Sequence, residues 1–188
     1  MANVDERSGG GSVGKVIWHV TISLDGFIAD PDDSIEAFHE ESAAPSALGA
    51  EVIRTTGVFM AGGRMFRVPD VGSIYGGAWE GEVFIYTRSP REVPADAPYR
   101  YVTGDIRGVV GEALKVAAGK NVVVSGGTVP GLCVEAGLVD EIAVHVAPVL
   151  LGDGVRFYDR PGARRTDLER GSVEPVGQTT EFRFRVLK

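Results

Sequence analysis

The stretch Val122-Val123-Val124-Ser125-Gly126-Gly127-Thr128-Val129-Pro130-Gly131 decides how this chain is read. Three successive β-branched apolar residues predict a strand over 121–124, buried on both faces as in a parallel sheet. Two glycines then remove side chains where the chain turns, and a short helix is expected over 130–136. Pro130 suits its first turn and Gly137 closes it. Such a junction aims the free N–H groups of a helix N-terminus outward, where they and the helix dipole suit a pyrophosphate. The hydroxyls of Ser125 and Thr128 add donors. The same residues also read as a tight turn that binds nothing.

Outward from this junction, strands alternate with helices. Residues 16–22 alternate and are rich in β-branched and aromatic side chains, which predicts the first strand. The turn Ser23-Leu24-Asp25-Gly26, the apolar triplet Phe27-Ile28-Ala29 and the polar turn Asp30-Pro31-Asp32-Asp33 follow. Leu48, Val52 and Ile53 fall at helical spacing within 47–55, and a short buried strand over 58–60 runs into Gly62-Gly63. Residues 66–81 are Gly-rich, carry Tyr75 and Trp79, and read as a long surface loop. Strands are expected over 83–86, 99–102, 142–146 and 179–187, and a helix over 109–118. This order predicts an α/β fold with a central, mostly parallel mixed sheet flanked by helices on both faces. Antiparallel pairing is expected toward the C-terminus.

Bulk properties narrow the function. A chain of 188 residues, 44% hydrophobic and 24% charged, fits one globular domain, with no internal repeat and no linker. Residues 1–14 contain Ser8-Gly9-Gly10-Gly11-Ser12 and read as a flexible tail, leaving 15–188 as the domain. A net charge of −7 argues against nucleic acid, since phosphate contacts need clustered Lys and Arg. No apolar run is long enough to span a bilayer and no signal-peptide pattern opens the chain, so cytoplasmic residence is expected. One cysteine, Cys133, and three histidines give no metal-ligand spacing, and no metal is expected.

Two further strand ends repeat the theme of the first. Gly62-Gly63-Arg64-Met65 follows the strand over 58–60, and Arg64 could meet a phosphate in a charge-assisted hydrogen bond, though a lone Arg is more often solvated. Thr87-Arg88-Ser89 follows the strand over 83–86 and offers a seat for a ribose 2′-phosphate, the group that separates NADPH from NADH. Three phosphate-competent groups just past the carboxyl ends of strands is how an open α/β sheet binds a nucleotide.

Four stretches in this order resemble the dihydrofolate-reductase-like family, in particular its bacterial branch similar to the reductase domain of riboflavin-biosynthesis deaminase/reductases. They are Ile22-Ser23-Leu24-Asp25-Gly26-Phe27-Ile28-Ala29, Gly62-Gly63-Arg64-Met65-Phe66, Ser125-Gly126-Gly127-Thr128, and Gly137-Leu138-Val139-Asp140-Glu141 with Ala147-Pro148-Val149-Leu150-Leu151-Gly152-Asp153-Gly154. The resemblance implies NADPH as hydride donor, a small heterocyclic substrate (pterin-, flavin- or related) and a homodimer. It places Gly62, Gly63, Arg64 and Met65, with Gly126, Gly127, Thr128 and Val129, at the cofactor's phosphates. Thr87 and Arg88 fall at its adenosine side, and Thr21 and Ile28 at the nicotinamide carboxamide. The family usually has Arg where this chain has Gly63. The riboflavin branch commonly has Glu where this chain has Ser125, which argues against the riboflavin intermediate as substrate. No zinc-binding deaminase half is expected from these residues.

Hydride transfer needs orientation and one proton. Asp25, in the turn expected to border the nicotinamide, is the first candidate donor, although an Asp before Gly often caps its own turn. Glu40 and Glu41 are weaker candidates that suit a helix N-terminus. Ser23, Tyr75 and Trp79 are the candidate substrate contacts, the two rings by stacking on a flat molecule. His19 reads as structural, His39 and His145 lack a partner at recognisable spacing, and Cys133 reads as a small buried apolar residue. A protein that binds NADPH without catalysis, as a regulatory ligand, is the alternative from a different class. A homodimer with a contact near Val149-Leu150-Leu151 is expected from that apolar run beyond Pro148.

Overall fold

A computed structural model describes residues 14–38, 46–65, 74–94 and 97–188. The flexible tail expected over 1–14, save Gly14, and His39, Glu40, Glu41 and Phe66 lie outside the described residues. Among the described residues, ten strands and three α-helices run in the order β1 (Val16–Ser23), β2 (Phe27–Ala29), α1 (Ala47–Thr55), β3 (Thr56–Gly62), β4 (Glu82–Tyr86) and β5 (Tyr99–Val102). There follow α2 (Ile106–Val116), β6 (Asn121–Ser125), α3 (Thr128–Glu135), β7 (Glu141–Ala147), β8 (Val155–Arg156), β9 (Leu168–Val176) and β10 (Thr179–Val186).

Eight strands form one sheet in the order β5-β4-β3-β6-β1-β7-β10-β9, and β2 pairs with β8 in a small antiparallel ribbon. The six strands from β5 to β7 are mutually parallel, while β10 runs antiparallel to both β7 and β9. The mixed sheet and its antiparallel end match the sequence expectation. Strand β9 does not: it is polar and exposed along most of its length, interrupted by Gly171 and Pro175, and sits at the sheet edge where proline is tolerated.

Period-2 alternation sends the two faces of the sheet into separate cores. Val16, Trp18, Met60, Phe84, Val122 and Val124 meet α2 and α3 on one side. Ile17, Phe59, Ala61, Ile85 and Val123 meet Val52 of α1 on the other. Both faces of the central strands are thus covered, as the runs of Val predicted. Among the described residues no helix is long and apolar enough to cross a membrane.

Candidate active site

Pairing in the middle of the sheet stops early. Strand β1 stays with β7 as far as Ser23↔Ala147, but with β6 only from Val16 to Trp18. Beyond Trp18 and Val124 these neighbours part, while β3 keeps β6 up to Ala61↔Ser125. A cleft opens between the upper half of β1 and the turn Ser125-Gly126-Gly127. Trp18 fixes its floor: Nε1 donates to the Gly126 carbonyl at 3.1 Å, and its ring stacks on Phe157 with centroids 4.1 Å apart.

The two glycines of the turn have different reasons to be glycine. Gly126 has φ 90°, and a Cβ added there would face open space. At Gly127 a Cβ would sit 2.8 Å from the Arg156 carbonyl oxygen and 3.4 Å from that of Phe157. Gly127 therefore makes room for the β2–β8 strap, which crosses the turn and brings Ile28 Cδ1 to 3.7 Å of the same point.

Helix α3 starts on this turn without a side-chain cap, whereas Ser46 caps α1 and Asp105 caps α2. Its first N–H groups lack intrahelical partners, and Thr128 beside them is exposed. Gly62 lies next to it, since a Cβ there would reach Val129 Cγ2 at 3.6 Å. Arg64 and Met65 are exposed, and Arg64 Nε lies 2.6 and 2.7 Å from the carboxylate oxygens of Asp33. Thr87 Oγ1 accepts from the Ser89 N–H at 3.1 Å, and exposed Arg88 has no ion-pair partner among the described residues. Thr21, Ile28, Gly62–Met65, Thr87–Arg88 and Ser125–Val129 all stand at or near the carboxyl ends of the parallel strands. These residues fit a nucleotide: an opened strand pair, a side-chain-free turn and an uncapped helix share one rim.

Other expected roles need correction. The Asp25 carboxylate accepts from Ser23 Oγ at 2.6 Å, from the Leu151 N–H at 3.1 Å and from the Gly152 N–H at 2.7 Å. The Ser23 hydroxyl first, then those backbone N–H groups, hold its pKa below the ordinary carboxylate value, the opposite of what a proton donor needs. Asp25 anchors the segment after β7. Ser23 is fully buried and also accepts from the Phe27 N–H at 2.9 Å, so its hydroxyl is committed to the turn rather than to a substrate. Trp79 turns inward and donates to the Thr56 carbonyl at 3.1 Å, at the amino end of β3, away from the cleft. Tyr75 also packs on the α1 face, edge-on to Phe59, but its hydroxyl meets His19 Nδ1 at 2.7 Å.

That contact belongs to a chain the sequence did not reveal. His19 Nε2 lies 2.7 Å from His145 Nε2, and His145 Nδ1 lies 2.7 Å from Glu181 Oε1. Both His19 and Glu181 are buried. Burial, reinforced by His145 and Arg183, pushes the His19 pKa down to about 3, so the ring is neutral at ordinary pH. Burial also lowers the His145 pKa against the opposing pull of Glu181, and burial raises that of the Tyr75 hydroxyl. Alternation along β7 puts His145 on one face with Ala143 and Ala147, and only the register Glu181↔His145 supplies its partner. Among the described residues no group of His, Cys, Asp and Glu could hold a metal ion.

A separate depression lies at the amino ends of β4 and β5, lined by Gly81, Val93, Pro94 and Tyr99 among others. Its Arg100 is already tied to Glu82 at 2.6 Å and Glu112 at 2.8 Å, and no helix N-terminus opens into it.

The profile of the family described as RibD C-terminal domain matches residues 14–182. Among solved structures, a riboflavin biosynthesis protein from Shewanella sp. PV-4 superposes with a TM-score of 0.77 at 18% identity, covering 93% of this chain and 99% of that one. The diaminohydroxyphosphoribosylaminopyrimidine deaminase/5-amino-6-(5-phosphoribosylamino)uracil reductase of Thermotoga maritima gives 0.72 at 12% identity, covering 93% of this chain and 57% of that one. Dihydrofolate reductase from Enterococcus faecalis, solved with NADP(H), gives 0.56 at 12% identity, covering 94% and 99%. These likenesses show the dihydrofolate-reductase-like fold. Among curated proteins there is no match.

Proposed function

Because the chain belongs to the RibD C-terminal domain family, and is by that membership an oxidoreductase of the reductase kind, we propose that it binds NADPH in the cleft between β1 and β6 and reduces a small heterocycle, pterin-, flavin- or otherwise related. The observation that carries this reading is the parting of β1 from β6 beside the bare turn at Gly126 and the uncapped start of α3. The N–H groups at Gly126–Val129 and Gly62–Met65 would hold the pyrophosphate, and Thr21 and Ile28 the nicotinamide carboxamide. Bound there, the cofactor supplies a hydride, while the protein orients the two rings and keeps water out. Ser125, where the riboflavin branch carries a carboxylate, disfavours the riboflavin intermediate as the substrate. The buried thiol of Cys133 and the use of NADPH suit the cytoplasm.

Exposed Arg88, with Thr87, would receive the 2′-phosphate. Arg88→Ala should weaken NADPH by about 1–3 kcal/mol and leave NADH nearly unchanged, as titration calorimetry with both nucleotides would show. Equal losses for the two would remove this assignment.

The same reading includes a homodimer. Leu150 and Leu24 stand 72% and 68% exposed, side by side because the Leu24 N–H donates to the Val149 carbonyl at 2.8 Å. Light scattering should give twice the monomer mass at micromolar concentration, and Leu150→Asp should halve it. A dimer that survives this change has its interface elsewhere.

A further inference from the structure

We propose that Tyr75, His19, His145 and Glu181 form one proton-conducting chain, charged at Glu181 and discharged to the substrate by the Tyr75 hydroxyl. This inference rests on the reductase reading for its use, but not for its existence. Three successive contacts of 2.7 Å join four titratable side chains from the loop before β4 and from β1, β7 and β10, all on the α1 face of the sheet. Thr21, expected at the nicotinamide, lies on that same face two residues beyond His19 and directly opposite His145. A substrate laid against the nicotinamide on this face comes next to the chain. With Asp25 committed elsewhere, the chain provides the site with its proton.

With neutral rings, a neutral Tyr75 hydroxyl and any Glu181 proton on the oxygen that faces His145, the geometry allows two filled arrangements. In the first, Tyr75 O–H donates to His19 Nδ1, His19 Nε2–H donates to His145 Nε2, and His145 Nδ1–H donates to the Glu181 carboxylate. In the second, which holds one more proton, every donor is reversed. The Glu181 carboxyl donates to His145 Nδ1, His145 Nε2–H donates to His19 Nε2, and His19 Nδ1–H donates to Tyr75 Oη. The Tyr75 hydrogen is then free to point away from His19.

A hydride from NADPH added at the carbon of a substrate C=N bond leaves the nitrogen one proton short, and the nucleotide becomes NADP+. Tyr75 gives that proton to the nitrogen, His19 refills Tyr75, His145 refills His19, and Glu181 refills His145. The chain returns to its first arrangement with Glu181 ionised, and a proton from solvent reloads it. An imidazolium is never required. That suits the surroundings, because Arg183 faces His19 and is itself held by Glu51 of α1 at 3.0 Å and lies 4.0 Å from Glu141 of β7. A positive His19 would be buried beside another cation.

The test follows the tautomers of the nucleotide-free protein by nitrogen-15 NMR of the imidazoles during acid titration, with infrared detection of the Glu181 carboxyl. One proton should enter as a protonated Glu181, while His19 changes from its Nε2–H to its Nδ1–H form and His145 from Nδ1–H to Nε2–H. Tyr75→Phe keeps the ring but removes the oxygen that must accept from His19, so the tautomer change should vanish. Glu181→Gln should abolish the carboxyl signal and the change together. Thermal melting reports whether each variant is folded, and if one is not, the wild-type titration decides alone. An imidazolium on either ring, a protonated Glu181 beside unchanged tautomers, or acid unfolding with no preceding change, would overturn the proposal. NADPH titrated into the same samples separates the two readings: binding without the tautomer change removes the relay alone, and the change without binding removes the reductase reading alone.

Discussion

Replacing Trp18 by Ala should lower the unfolding free energy by about 3–5 kcal/mol. For a domain of this size that is roughly 6–20 °C in the melting temperature. Trp18 is 1% exposed, stacks on Phe157 and bonds the Gly126 carbonyl, so its loss empties the core beneath the strap and releases the turn at once. Trp18→Phe separates the two effects. It keeps an aromatic surface against Phe157 while removing the N–H donor and part of the indole volume, which should cost about 1–3 kcal/mol of stability. Cofactor binding should nevertheless weaken in the Phe variant, because the Gly126 carbonyl is no longer held. Denaturant unfolding and NADPH titration of both variants check this. A Phe variant that binds NADPH normally would show that Trp18 serves the core alone.

The second large effect distinguishes the paired glycines. Gly127→Ala should cost about 1–3 kcal/mol or more, since its methyl group meets the backbone carbonyls of Arg156 and Phe157 and neither can swing aside like a side chain. The strap carrying Ile28 must shift, so NADPH binding should fall as a consequence of the damage. Gly126→Ala also carries a penalty, about 1–2 kcal/mol for the left-handed backbone, but its methyl group meets nothing within 4 Å. Its loss of NADPH affinity should therefore be the larger relative to its loss of stability. Paired melting and titration measurements on the two variants give the comparison. The reverse order would make Gly126 the structural glycine and Gly127 the one that faces the ligand.

The parts of the fold legible in the sequence were those that local pattern determines. Runs such as Val122-Val123-Val124, β-branched and bounded by glycine, favour central strands, and helix α1 follows from Leu48, Val52 and Ile53 over the predicted 47–55. The glycine pairs marked the strand ends because a bare turn leaves a composition signal. What escaped depends on register and on contacts between distant segments. Strand β9 carries no apolar alternation, since it lies on the edge and exposes both faces. Asp25 looked like an acid at the cleft because its partners, Leu151 and Gly152, come from beyond β7. Ser23 and Trp79 read as substrate contacts, but both are turned in by bonds to backbone groups. His145 lacked a partner in the sequence because Glu181 stands opposite it only once β10 folds back on β7.

NADPH should enter the carboxyl-end cleft and not the depression at the amino ends of β4 and β5. Amide hydrogen exchange with and without saturating NADPH tests it most directly. New protection is expected at Gly62–Met65, at Thr87–Arg88 and across Gly126–Val129, where the first N–H groups of α3 have no partner within the helix. Protection confined to the segment lining the other depression, around Gly81, Val93 and Tyr99, or no protection anywhere, would contradict it.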